Sequence, residues 1–229
     1  MRYNTVLFDA DGTLLDFDRS EREALIDALA LNKINANEEM ISAYSEINQD
    51  LWKKLERAEI ERSVLMYHRF ELLLEKYSIV ADAKKIADDY ISIIATKGYM
   101  LDGAWKLLES LFGKVRMYII TNGAATVQRG RYEKTGIGRF FDGVFISEIV
   151  GVNKPDVRFF QTVADSIGNF DAEDTVVVGD SLSSDIKGGN NFGLDTCWYN
   201  PKGETLTDII PTYVAYSFDE VYRIISEGK

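Results

Sequence analysis

The stretch Tyr3–Leu15, YNTVLFDADGTLL, constrains this chain more than any other. Val6, Leu7 and Phe8 form a short apolar run, the pattern of a strand buried on both faces, as in parallel sheets covered by helices. The run stops at Asp9, Asp11 follows two residues on, and Gly12 and Thr13 break the strand pattern. Both carboxylates therefore fall at the C-terminal end of a strand, where open α/β sheets place their ligands. Two carboxylates so close repel, and one takes up a proton unless a cation intervenes. An Asp-Gly turn after a strand is also common without any function, so the rest of the chain has to decide.

Four helices are predicted next, with no strand between them. Ser20–Leu31 carries Ala24, Leu25, Ala28 and Leu29 at helical spacing, and Asn37 is placed to cap a helix running to about Leu55. Two more follow, over about 60–77 and 82–96, and together they read as a small helical bundle. Beyond Gly98 and the Leu101–Gly103 turn the pattern changes to strand–helix alternation. Strands are expected at Val115–Ile120, Gly143–Ile146, Thr175–Val178, Leu194–Tyr199 and Thr212–Tyr216. The intervening helices cover Thr126–Lys134, Pro155 to about Ile167, and Ser183–Asn191, and Phe218–Ser226 closes the chain. Repeated βα units imply a doubly wound, Rossmann-like parallel sheet. The fold class is thus α/β, with residues 1–15 and 98–229 as the core and 16–97 as an inserted helical cap domain.

Several function classes drop out. A formal net charge of −11 argues against polymeric nucleic acid as a partner. It also means that an anionic substrate needs local positive charge, from a metal or a specific lysine. The single histidine, His68, nearly excludes histidine triads and histidine-rich zinc sites, and is read as a surface or packing residue. No apolar run of some 18 residues is present, so no membrane partner is expected. The first strand begins almost at once, without a signal peptide, and the lone Cys197 sits in an apolar context; both fit a cytoplasmic protein. Monomer and homodimer are equally compatible with the sequence.

Three predicted strands end in polar groups: Asp9 and Asp11, then Thr121 and Asn122, then Asp180. Asp185 lies five residues past Asp180, and Lys154 sits in a loop before Pro155. Taken singly these are an ordinary turn, a loop end and a helix cap. Their joint placement at one edge of one sheet is not ordinary.

In that order, Asp9-x-Asp11-x-Thr13, Thr121-Asn122-Gly123, Lys154-Pro155 and Gly179-Asp180-(x)4-Asp185 resemble the haloacid dehalogenase-like (HAD) hydrolase superfamily, over essentially the whole chain. The resemblance implies a phosphoryl-transfer enzyme in which Asp9 is the nucleophile and forms an aspartyl-phosphate. Asp11 would protonate the leaving oxygen and then take a proton from water. Mg2+ would be held by Asp9, the Asp11 backbone carbonyl and Asp180. Asp185 would orient its waters or hold Lys154. The Thr121 hydroxyl and the Asn122 and Gly123 backbone would donate to phosphoryl oxygens, and Lys154 would offset charge beside Asp9. Asp11 separates this chain from similar transporting ATPases, which carry Thr there, and dehalogenases lack the metal-site acids.

A closer similarity runs through Asp9–Leu25, Thr121–Asp142, where Gln128 and Arg131 are spaced as in relatives, and Val144–Phe160. These stretches are similar to the YjjG/YfnB-like branch, whose characterised members include pyrimidine 5'-nucleotidases. Gly12 departs from that branch, which often carries a second Asp there. The implied substrate is a small phosphorylated metabolite, a pyrimidine nucleoside monophosphate foremost. A phosphoglycolate or sugar phosphate phosphatase and a phosphomutase are the alternatives, and a non-catalytic binding module is disfavoured because no motif residue is lost. Trp52, Tyr67 and Phe70 in the insert could stack on a base, but aromatic residues at helical spacing are read first as core.

Overall fold

The computed structural model describes Met1–Gly228. Its sheet has six strands, all parallel: β1 (Thr5–Phe8), β2 (Arg116–Thr121), β3 (Gly143–Ile146), β4 (Thr175–Gly179), β5 (Asp195–Tyr199) and β6 (Tyr213–Ala215). The spatial order is β3-β2-β1-β4-β5-β6, so β1 lies in the middle, with the winding reversing on either side of it. That reversal opens a crevice beyond the strand ends. Leu7 pairs with Tyr118 on one side and Val177 on the other. Val6, Leu7, Phe8 and the Val176–Val178 run are almost wholly buried, as an apolar run in a two-sided parallel sheet requires.

Among the described residues the α-helices are α1 (Phe17–Leu31), α2 (Glu38–Glu56), α3 (Arg62–Lys76), α4 (Ala83–Ile94), α5 (Ala104–Leu111), α6 (Ala125–Thr135), α7 (Ser147–Val150), α8 (Val157–Ser166), α9 (Lys187–Phe192) and α10 (Phe218–Glu227). They fall into two compact units. The α/β unit comprises Met1–Asp16, Met100–Ala125 and Thr135–Lys229; the helical unit comprises Phe17–Tyr99 together with Thr126–Lys134. Residues 126–134, expected in the core, group instead with the helical unit.

Within the α/β unit, Leu7, Ile120, Phe159, Phe160, Val163 and Val177 belong to one buried cluster that fixes α8 against the sheet. Two expectations need correction. Pro155 does not open α8: it follows a cis peptide, and Asp156 is the N-cap, its side chain accepting from the Arg158 N–H. The expected helix over Ser183–Asn191 divides into a π-type turn, Leu182–Ile186, and the short α9. The helix α5 was not anticipated, although Ala104, Leu107, Leu108 and Leu111 line its buried face after a left-handed Gly103. Cys197 is buried on β5, and burial pushes its thiol up to about 12.

Within the helical unit, Asn37 caps α2 as its position suggested, accepting from the Met40 N–H. Phe70 is fully buried against Tyr44 and Tyr90, with ring centroids 5.2 and 5.4 Å away, which makes it core. Trp52 packs against the Leu51–Leu55–Leu65 cluster, and Tyr67 lies under Lys84. His68 faces Glu71 on the half-exposed side of α3. One polar chain runs through this interior. Ser45 and Asn48 donate to the buried Glu21 carboxylate, and Arg69 donates to Asn48 Oδ1 at 3.0 Å. Burial raises the Glu21 pKa, and the two donors pull it part of the way back. Satisfied networks of this kind fix one arrangement of helices, because any other leaves charges unpaired. No helix of the described residues is long and apolar enough to cross a membrane.

Candidate active site

The site starts from the end of β1. The ladder continues one residue past the strand, where the Asp9 N–H donates to Val178 O at 2.8 Å, so the Asp9 backbone is fixed by its neighbour. The chain then folds back tightly: Leu14 and Leu15 donate to Ala10 O, and Gly12 donates to Leu15 O. Gly12 takes φ +81°, and a Cβ there would meet Asp180 Oδ2 at 2.4 Å. A second aspartate at this position would be strained and would collide with Asp180. Thr13 donates its hydroxyl to Asp180 Oδ1 at 2.9 Å.

The end of β2 supplies Thr121, Asn122 and Gly123. The Gly123 N–H donates to Thr121 Oγ1 at 3.0 Å, folding the loop over the strand end. The Asn122 side chain has a role that the sequence did not suggest. Its amide donates to Lys154 O and its carbonyl accepts from the Lys154 N–H, both at 2.9 Å. This reciprocal pair fixes the backbone from which the lysine projects.

Lys154 is 1% exposed, and its ammonium has three partners. It donates to Asp9 Oδ1 at 2.6 Å, Asp185 Oδ1 at 2.6 Å and Ile120 O at 2.8 Å. Burial opposes its charge, but Asp185 and Asp9 outweigh burial and hold the pKa above the ordinary lysine value. The other Asp185 oxygen accepts from the Ser181 N–H at 3.1 Å, so both oxygens of that carboxylate are engaged. Gly179 makes room for it, since a Cβ there would lie 2.3 Å from Asp185 Oδ2. Asp180 is anchored through its backbone carbonyl, which accepts from Trp198 Nε1 at 2.8 Å. Trp198 stands opposite Gly179 in the β4–β5 register, a proximity no local signal reveals.

One carboxylate oxygen from each of Asp9, Asp180 and Asp185 lies within 4.8 Å of the others. The Asp11 carboxylate is not in this group; Asp11 sits half-exposed on the adjoining turn. Three carboxylates against the Lys154 ammonium leave two negative charges, which a divalent cation would balance. The electrostatics agree. Burial pushes Asp9 well above the usual range, Lys154 pulls it back, and Asp185 and Asp180 push it up again. Burial and the Asp185 charge raise Asp180 from 3.8 to about 7, against the Thr13 hydroxyl. Hard oxygen donors of this kind suit Mg2+.

A pH dependence follows. An acid whose pKa is raised by folding stabilises the fold below its unfolded value and loses that contribution as pH rises through its folded value. Metal-free protein is therefore expected to lose stability at this site between about pH 4 and about pH 7. A divalent cation requires the deprotonated acid, so its stabilising effect should grow across the same window. Melting curves with Mg2+ or with chelator check this, and an equal gain from Mg2+ at both ends would contradict the assignment.

These strands, loops and acids define a doubly wound α/β protein with an acidic cluster at the C-terminal edge of its parallel sheet, and comparison with known proteins specifies the family. Residues 3–193 match the family model described as haloacid dehalogenase-like hydrolase. The chain belongs to that family. It is 39% identical to the pyrimidine 5'-nucleotidase PynA of Streptococcus pneumoniae, covering 100% of this chain and 97% of PynA. It is 33% identical to the pyrimidine 5'-nucleotidase YjjG of Escherichia coli, covering 98% and 99%. A crystal structure of the HAD-hydrolase YfnB from Bacillus subtilis superposes with a TM-score of 0.93 at 38% identity, covering 99% of this chain and 100% of that one. That structure is bound to magnesium and reveals interdomain movement.

Proposed function

We propose that this enzyme is a phosphatase that hydrolyses nucleoside 5'-monophosphates of the pyrimidine type through an aspartyl-phosphate on Asp9. The observation that carries the reading is the Asp9 carboxylate, fixed at the end of the central strand and held at one oxygen by Lys154. The nucleotide class rests on likeness to PynA and YjjG along their whole lengths.

Asp9 attacks phosphorus, and the bond from phosphorus to the ester oxygen breaks as Asp11 gives that oxygen its proton. Water then attacks the phosphorus of the aspartyl-phosphate, Asp11 takes the proton, and the bond to Asp9 breaks to release orthophosphate. Asp11 suits the proton work because its carboxylate stands outside the acidic cluster, half-exposed on the turn two residues past Asp9. The Thr121 hydroxyl and the backbone of Asn122 and Gly123 bind the phosphoryl oxygens. Lys154 neutralises charge at Asp9 and is kept in place by Asp185 and by the Asn122 amide. Asp9, the Asp11 carbonyl and Asp180 would hold Mg2+, which when bound supplies the positive charge that phosphoryl transfer needs at its equatorial oxygens. YfnB shows interdomain movement, and the helical insert of this chain would likewise move during turnover and select among nucleotides.

Substrate profiling tests this reading. Pyrimidine nucleoside monophosphates are expected to lead sugar phosphates and phosphoglycolate by at least about tenfold in kcat/KM, about 1.4 kcal/mol of transition-state binding. All activity should vanish with chelator and return with Mg2+. A tenfold lead for phosphoglycolate or a hexose phosphate would reassign the substrate, and full activity in chelator would reject the metal site.

A further inference from the structure

We propose that α6 moves as part of the helical unit and that Arg131 is the positioning residue that locks it there, coupling the loop Thr121–Gly123 to both linkers of the helical insert. The coupling rests on the proposed seating of a phosphoryl group on that loop.

The chain passes between the two units four times, at Asp16–Phe17, Tyr99–Met100, Ala125–Thr126 and Lys134–Thr135. The third crossing comes directly after the phosphate loop, with only Ala124 and Ala125 between Gly123 and Thr126. Ala125 stays anchored in the α/β unit, where its N–H donates to Glu148 Oε2 at 2.6 Å. From Thr126 onward the helix belongs to the other unit, so any relative movement has to bend the chain next to the loop.

Two features bind α6 to the ends of the insert. Gly130 lets the backbones meet: a Cβ there would lie 2.5 Å from the Ala95 carbonyl oxygen. The Arg131 side chain, with no exposed surface, reaches both linkers at once. Its Nε donates to Lys97 O at 3.3 Å, and its Nη2 donates to Ser20 Oγ at 3.4 Å. Ser20 in turn donates to Lys97 O at 2.9 Å, and the Phe17 ring centroid lies 5.6 Å from the guanidinium. Phe17 and Ser20 open the insert and Lys97 closes it. The linkers are tied to each other as well, by Arg19 stacked 3.8 Å from the Tyr99 ring centroid and by Lys97 paired with Asp27 at 2.7 Å.

A buried charge is expensive, and an apolar side chain would fill the same face of α6 at less cost. A fixed fork of donors does what an apolar residue cannot, holding two linkers in one geometry. Phosphate seated on Thr121–Gly123 would then restrain α6, and α6 would restrain the entry and exit of the insert.

Amide hydrogen exchange on the full chain with Mg2+ and inorganic phosphate tests the coupling. In the wild-type protein, phosphate is expected to slow exchange about fivefold or more in residues 121–125 and also in 17–20 and 95–99. In Arg131→Lys, which keeps the charge without the fork, phosphate should still protect 121–125 while the linkers exchange at their ligand-free rate. Ser20→Ala, which removes the hydroxyl between Arg131 and Lys97, should weaken linker protection in the same direction and decides the matter if Arg131→Lys does not fold. Wild-type protection of 121–125 without the linkers would overturn the coupling and leave the phosphate seat standing. Protection at neither place would overturn the phosphate seat and the coupling with it. Full linker protection in both variants would remove Arg131 from the role.

Discussion

Asp9→Asn is expected to abolish turnover on every phosphomonoester, whereas Asp11→Asn is expected to trap the enzyme halfway. Both residues are short carboxylates two positions apart, yet their surroundings differ. Asp9 is 7% exposed and bonded to Lys154, while Asp11 is half-exposed on the turn. Without a carboxylate at position 9 no covalent intermediate forms. Loss of the acid–base group costs about 10^2 to 10^4 in rate, and the cost depends on the leaving group. An aryl phosphate leaves as a stabilised anion and needs little protonation. A nucleoside leaves as an alkoxide and needs the proton. Water attack on the aspartyl-phosphate needs the base with either substrate. Asp11→Asn should therefore release a burst of aryl alcohol and accumulate protein carrying one added phosphate, read by intact mass after acid quench. With a nucleotide it should do neither. The reverse pattern, a burst from Asp9→Asn and a dead Asp11→Asn, would exchange the two roles.

Lys154→Met is expected to remove both activity and a large part of the stability. The ammonium is the shared partner of Asp9 and Asp185, and its loss leaves two buried carboxylates facing each other and Asp180. Removing one member of a buried ion pair costs about 3–5 kcal/mol, which lowers Tm by roughly 10 °C in a protein of this size. The double variant Lys154→Met/Asp185→Asn relieves part of the penalty, because one uncompensated charge disappears. The two substitutions should therefore be coupled by about 1–3 kcal/mol. Mg2+ should restore some stability to Lys154→Met without restoring turnover, since the cation offsets charge but does not replace the ammonium at Asp9. Simple additivity in denaturant unfolding would mean that Lys154 and Asp185 act independently, against the geometry described above.

What the sequence by itself determined is what short-range physics determines. Val6–Phe8 had to be a doubly buried strand because nothing polar interrupts it, and Asp9 and Asp11 had to follow its end. Asn37 had to cap α2, since its side chain needs only the N–H three residues on. The alternation of strands and helices after Val115 required a parallel sheet, because parallel neighbours need a crossover between them. The α5 segment carries Ala104, Leu107, Leu108 and Leu111 at helical spacing, but it is only eight residues long, and an apolar segment that short does not separate helix from strand by pattern alone.

The tertiary structure decided everything that depends on register between distant strands. Lys154 meets Asp9 across 145 residues and Asp185 across 31, and sequence could offer Asp185 either as a water-orienting group or as the lysine's partner. The geometry engages both Asp185 oxygens, with Lys154 and Ser181. Trp198 supports Asp180 only because β5 lies beside β4 in one particular register. The Asn122 amide grips the Lys154 backbone because the β2 loop and the loop before α8 meet at one sheet edge. The grouping of α6 with the insert is of the same kind. Its buried face is mostly polar, with Gln128, Arg131 and Tyr132 beside Val127, so no apolar stripe announced which partner it would take. Hydrophobic patterning places elements against a core, but the direction of a buried fork or the partner of a buried ammonium is set only when the whole chain has closed around it.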